Sequence, residues 1–178
     1  AYGFSNNSEN IVLSDFHDQN SDNKVPSEII LDNYLEDILA FGGECKGYIR
    51  THEKKNYEYF KDIKMNLYKK IYTIKSTNGK EIDIELIISK ILKKVSDHAL
   101  TQIRRVNAQI KKEDIKWIVT IPAIWEEKSK DIMIKASIKA GLIDENNDKS
   151  LFLALEPEVA GIYYYISSYS ESNFNILH

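Results

Sequence analysis

Glu156 stands where an apolar run, LFLAL (151–155), gives way to Pro157, and a carboxylate there is fixed by the two elements it joins. A carboxylate held so rigidly can orient a nucleophilic water or a metal-bound water. It equally suits the plainer task of complementing the positive end of a helix that begins at Pro157, the task to which Glu158 is assigned. Pro122 closes a second apolar run, WIVTI (117–121), in the same manner. Proline has no acid–base chemistry, so its part is to end a strand and set the chain's direction. Lys64, in YFKDIKMNLY, is flanked by aromatic and aliphatic residues, which predicts a partly desolvated and directed ammonium suited to an anion. A lysine stretched along the surface is the alternative.

Other chemistries find less support. His17, His52, His98 and His178 are scattered without the spacing of metal ligands, and neither a Ser/His/Asp nor a Cys/His set has local support. FGGECKG (41–47) is the only glycine cluster; it lacks phosphate-loop spacing and reads as a turn between strands. Tyr163, Tyr164, Tyr165 and Tyr169 could stack bases, but on a helix beside a sheet they read as packing. The single cysteine, Cys45, excludes an internal disulfide framework and a multi-cysteine metal site, which fits a reducing, cytoplasmic setting. With 24 basic against 27 acidic residues and a net charge of -3, the chain has no polyelectrolyte signature for nucleic acid or a membrane surface. No run approaches the roughly 20 apolar residues of a membrane span, and AYGFSNNSEN lacks the pattern of a secretory leader.

These residues need a scaffold, and 178 residues suffice for one domain or two small lobes. Residues 5–24, rich in Ser, Asn and Asp, read as hairpin or loop with at most a short strand. Pro26 precedes an extended EIILDNYL, ILAFGGE (38–44) reads as a strand running into a Gly-Gly turn, and Asn78-Gly79 marks a tight turn between short strands. Ile84, Ile87, Ile88, Ile91, Val95, Ala99, Ile103 and Val106 recur at three or four residues, the period of one helix face. Lys90, Lys93, Lys94, Arg104 and Arg105 lie mostly off that stripe, as a solvated flank. WIVTI and LFLAL are apolar at nearly every position, which predicts parallel strands covered on both faces. Between them, Ile132, Ala136 and Ala140 sit at helical spacing with Gly141 as the cap. A βαβ unit places ligand crevices at the carboxyl ends of its strands, which brings Pro122 and Glu156 to one crevice edge.

IVTIPAIW, AGLI and LALEPEVAGIYY together resemble the seventy-kilodalton heat-shock chaperone family, and the form with Trp125 and ALEPE is similar to its divergent twelve-type branch. VPSEIILD, FGGECKGY and YFKDIKMNLY agree with that branch; the resemblance is strong over 117–165 and looser over 1–110. It implies an α/β fold: an actin-like ATPase lobe of the ribonuclease H-like kind, with a mixed sheet, a parallel βαβα C-terminal part and an inserted α+β outer subdomain. Residues 1–30 and 110–178 would form the core subdomain, and about 31–109 the insertion with its connecting helix. The resemblance further implies a parent protein that binds ATP or ADP with magnesium, hydrolyses ATP to drive lobe closure, and meets client proteins or co-chaperones. Lys64 would reach the terminal phosphate, with Lys61 and Lys69 as alternatives; Glu156 would sense magnesium through water; Pro122 would be the nucleotide-state switch. The family's first phosphate loop is expected just before Ala1, because AYGF resembles the strand after it, and the second phosphate loop and adenosine-binding elements beyond His178. By itself the chain is then expected to hold nucleotide weakly and to be inactive. A non-catalytic scaffold or interaction module on the same fold, and a sugar kinase of the same superfold, stay open as alternatives.

Overall fold

The computed structural model describes residues 1–5, 7–12, 25–145 and 150–174, without the side chains of 7–10 and 166–174. The readings made for 13–24, for His17 and His178 and for the side chain of Tyr169 fall outside the described residues. Strands β1 (Tyr2–Phe4) and β2 (Asn7–Val12) form an antiparallel hairpin within the polar N-terminal stretch. Strand β3 (Ile29–Leu31) follows Pro26 and pairs antiparallel with β4 (Ile38–Phe41) on one side and β5 (Glu58–Phe60) on the other.

Two layers cover β3, because successive strand side chains point to opposite faces. Ile29 and Leu31 enter the main core, whereas Ile30 packs with Ala40, Cys45 and Tyr57 on the reverse. That reverse layer explains the fate of the glycine cluster. Gly42 has φ of +59°, and a Cβ there would lie 2.4 Å from Val25 Cγ1, so the chain can turn sharply only with glycine. The turn then feeds helix α1 (Glu44–Thr51), not another strand as expected, and the helix delivers buried Cys45 under β3.

After β5 come the short helix α2 (Ile63–Tyr68) and the hairpin of β6 (Thr73–Lys75) and β7 (Glu81–Asp83), joined through the expected Asn78-Gly79 turn. The Ser76 hydroxyl in that turn donates to the buried carboxylate of Glu58, which ties the hairpin to β5. Helix α3 (Ile84–Val106) has the bounds that its periodicity predicts; the Asp83 side chain caps it by accepting the Glu85 N–H at 2.8 Å. Among the described residues no helix is long and apolar enough to cross a membrane.

The C-terminal part is β8 (Trp117–Ile121), α4 (Glu127–Lys139), β9 (Leu151–Leu155) and α5 (Glu156–Phe174). β8 and β9 pair in parallel, Trp117 opposite Leu151 through to Ile121 opposite Leu155. α4 ends as expected at Gly141, whose N–H donates to Ile138 O while that of Leu142 donates to Ser137 O.

Two expectations need correcting. β8 and β9 are not covered on both faces: Val119, Ile121, Leu153 and Leu155 face the core, but Ile118 is 67% exposed and Phe152 49%. Nor do the described strands make one mixed sheet. They form four, of which only β8–β9 is parallel; side-chain packing rather than a hydrogen-bond ladder joins three of them into one core from β3 to α4, and no described side chain of the β1–β2 hairpin belongs to it.

Candidate functional site: a cleft at the strand ends

Helix α2 is anchored by Ile63 and Leu67, one turn apart and both buried in the main core. Lys64 and Tyr68 each follow an anchor by one position, and both line a cleft of about 540 Å³. Asp62 and Met65 join them from the same segment; Ser27 and Glu28, before β3, and Pro122 and Trp125, after β8, supply other walls. Unusually for non-glycine residues, both ends of α2 are left-handed, with φ of 57° at Asp62 and 59° at Lys70.

The parallel register puts the residues that follow β8 and β9 next to one another. Pro122 ends the β8 ladder, and its carbonyl accepts the Trp125 N–H at 3.2 Å, which folds Trp125 back into the core beside the cleft. Glu156, following β9, accepts a hydrogen bond from Lys64 Nζ at 2.5 Å. Three residues singled out on chemical grounds, at 64, 122 and 156, therefore meet at one place. Of the three candidate lysines it is Lys64 that lines the cleft; Lys61 and Lys69 are exposed and outside its lining.

Lys64 is nevertheless not desolvated as expected. Its side chain is 55% exposed and that of Glu156 39%, because α2 buries Ile63 and Leu67 and leaves the ammonium at the rim with the exposed Met65 and Tyr68. Glu156 thus does more than complement a helix end: it neutralises the cation nearest the cleft. Two further carboxylates, Glu28 and Asp62, line the walls. Glu28 accepts from the Tyr59 hydroxyl at 2.6 Å, and burial together with that carboxylate pushes the phenol well above its ordinary range.

Comparison with known proteins gives the geometry a context. The chain is 30% identical over 133 residues to human heat shock 70 kDa protein 12B, covering 70% of this chain and 19% of that protein. It is 28% identical over 152 residues to heat shock 70 kDa protein 12A of human and of mouse, covering 80% of this chain and 22% of each. The chain is a divergent relative of the twelve-type branch of the seventy-kilodalton heat-shock family. It spans about a fifth of the length of these curated relatives. No family model matches it, and no solved structure is significantly similar.

For a twelve-type relative, the cleft offers magnesium little that is pre-formed. Among the described residues no group of three or more His, Cys, Asp or Glu converges as a ligand set. A single rigid carboxylate at a strand end does suit magnesium that arrives with phosphate oxygens and keeps its waters. Glu156 fits that role and no larger one.

Glu28, Asp62, Tyr68 and Trp125 were missed as cleft residues from the sequence. Trp125 carried a usable signal, lying one turn beyond Pro122, whereas Glu28 and Asp62 reach the cleft through non-local packing that no spacing encodes. Conversely, Tyr163, Tyr164 and Tyr165 do not pack as expected: all three are exposed, as is every residue of α5 from 157 to 165, and none of them lines the cleft.

Proposed function

We propose that this chain forms part of the nucleotide-binding region of a heat-shock-chaperone-like protein, in an actin-like lobe whose parent binds ATP with magnesium and hydrolyses it to change lobe closure. One observation carries the reading: Lys64, Pro122 and Glu156 come from three separate segments and meet at the carboxyl ends of two adjacent parallel strands. The reaction would be phosphoryl transfer to water, with catalysis by positioning and charge stabilisation. Magnesium, when bound with nucleotide, neutralises phosphate charge. Lys64 contributes an ammonium to the terminal phosphate once it leaves Glu156, Glu156 then holds a water, and Pro122 passes the state of the site to the β8 end and α4. Client proteins or co-chaperones would be the parent's partners. A cytoplasmic setting is part of the same reading, supported by a buried, unpaired Cys45.

A second reading, a non-catalytic scaffold, has one observation in its favour. The lining carries Glu28 and Asp62 against Lys64, whose charge is already matched, a poor electrostatic match for a polyphosphate. ATP turnover and magnesium-dependent nucleotide binding by the full-length parent separate the two. Glu156→Gln and Lys64→Ala should each lower turnover by about 10²-fold or more, as removal of a charge-stabilising group does. Their unfolding midpoints should shift by less than the equivalent of about 1 kcal/mol, because the pair is exposed. Equal turnover in parent and variants would remove the assigned roles and leave the scaffold.

A further inference from the structure

Glu126 opens α4 four residues after Pro122 and is engaged from a distant segment. Its Oε1 accepts a hydrogen bond from the Tyr72 hydroxyl, and its Oε2 lies 2.7 Å from Lys70 Nζ. Lys128 adds a cation 4.0 Å from the centroid of the Tyr72 ring. Tyr72 is also held through its backbone, since its carbonyl accepts the Ile84 N–H at 2.8 Å. Lys70 has the less ordinary position. It lies just past the end of α2, where its N–H donates to Leu67 O and that of Ile71 to Asn66 O, the hydrogen bonds of a left-handed helix cap. Glycine occupies such a position at least cost, and Lys70 sits there with φ of 59°. What lysine supplies at this point and glycine cannot is an ammonium on Glu126. That hydrogen bond, with the one from Tyr72, holds the Glu126 carboxyl below its ordinary range.

These contacts run from the end of the helix that carries Lys64 to the start of the helix that follows Pro122. We propose that Glu126, Lys70 and Tyr72 form a clasp that fixes α2 against the Pro122 turn, and that Glu126 is thereby a positioning residue for the Lys64–Glu156 pair. Backbone strain gathered at both ends of α2 is the kind that surrounding structure must hold in place. The side chains of Lys70 and Glu126 are 66% and 37% exposed, so their attraction is screened, and the clasp sets geometry more than stability. The functional meaning of the clasp rests on the reading of Lys64 given above, but its geometry does not.

Acylation of lysines by an N-hydroxysuccinimide ester at low conversion, mapped by peptide mass spectrometry on the chain without nucleotide, tests the clasp. Glu126→Gln and Lys70→Gly should each raise the rate at Lys64 by about threefold relative to Lys93, a lysine paired with Asp97 at a distance from the cleft. Lys70→Gly should do so while keeping or raising the midpoint of urea unfolding, because glycine relieves the left-handed turn. An unchanged Lys64 rate in both variants would overturn the clasp, and so would an equal rise at Lys64 and Lys93, which would mean general loosening. A parent that fails to bind ATP would instead defeat the nucleotide reading and leave the labelling result standing.

Discussion

Lys64 and Glu156 lie 92 residues apart in the chain and 2.5 Å apart in space. Exposed as they are, the pair is worth about 0–1 kcal/mol, so its interest is chemical: an anion entering the cleft must compete with Glu156 for the ammonium. Cys45 shows the opposite balance, where burial decides everything. Burial, with Glu28 and Glu44 nearby, pushes its thiol from 9.0 to about 12. Because the folded value exceeds the unfolded one, folding favours the protonated thiol. That contribution is fully present below pH 9 and is lost as pH rises through about 12. At pH 8 an aromatic disulfide reagent should therefore react with the native chain only as fast as the chain opens, and rapidly with the urea-unfolded chain. Immediate stoichiometric reaction in native buffer would show that Cys45 is not sealed under β3. Cys45→Ser should cost about 1–3 kcal/mol by chemical denaturation, since the buried layer of Ile30, Ala40 and Tyr57 offers a hydroxyl little.

Gly42 and Gly47, five residues apart, separate what the turn needs from what helix α1 needs. Gly42→Ala would force a side chain into a left-handed turn and against Val25, at a cost above about 1 kcal/mol. Gly47→Ala, inside α1 with nothing within 4 Å of the added carbon, should stabilise by up to about 1 kcal/mol. Urea-unfolding midpoints moving in opposite directions would confirm that the FGGECKG stretch is a strand-to-helix device. Two shifts in the same direction would contradict the geometry. The same stretch also shows why short glycine motifs are ambiguous as sequence. A turn's outlet depends on what the following residues can be buried against, and here that is the reverse face of β3.

One core joins β3, α2, α3, β8 and α4, and the surface of the molecule is uneven around it. Ile118 and Phe152 lie on the open outer face of β8–β9, whereas Ile121 on the inner face is 1% exposed. Ile118→Thr should change stability by less than about 0.5 kcal/mol, and Ile121→Ala should cost about 2–5 kcal/mol. Thermal unfolding of the pair checks the asymmetry; comparable losses would mean that the outer face is covered in solution. The Ile118 variant should also be the more soluble, because it shrinks an exposed apolar patch.

Much of this molecule is written locally. Helix α3, the Asn78-Gly79 hairpin, the Gly141 cap and the parallel β8–α4–β9–α5 order all follow from periodicity and turn chemistry, interactions that span a few residues and that neighbours in sequence can specify. The same local rules placed Pro122 and Glu156 at strand ends. Tertiary structure alone decided which sheet face stayed open, that the described strands fall into four sheets, and that Lys64 is ion-paired at a rim instead of desolvated. It also decided that Glu28, Asp62 and Glu126 share the neighbourhood of the candidate site. Burial and charge pairing depend on which distant segment arrives beside a residue, and no short window of sequence contains that neighbour.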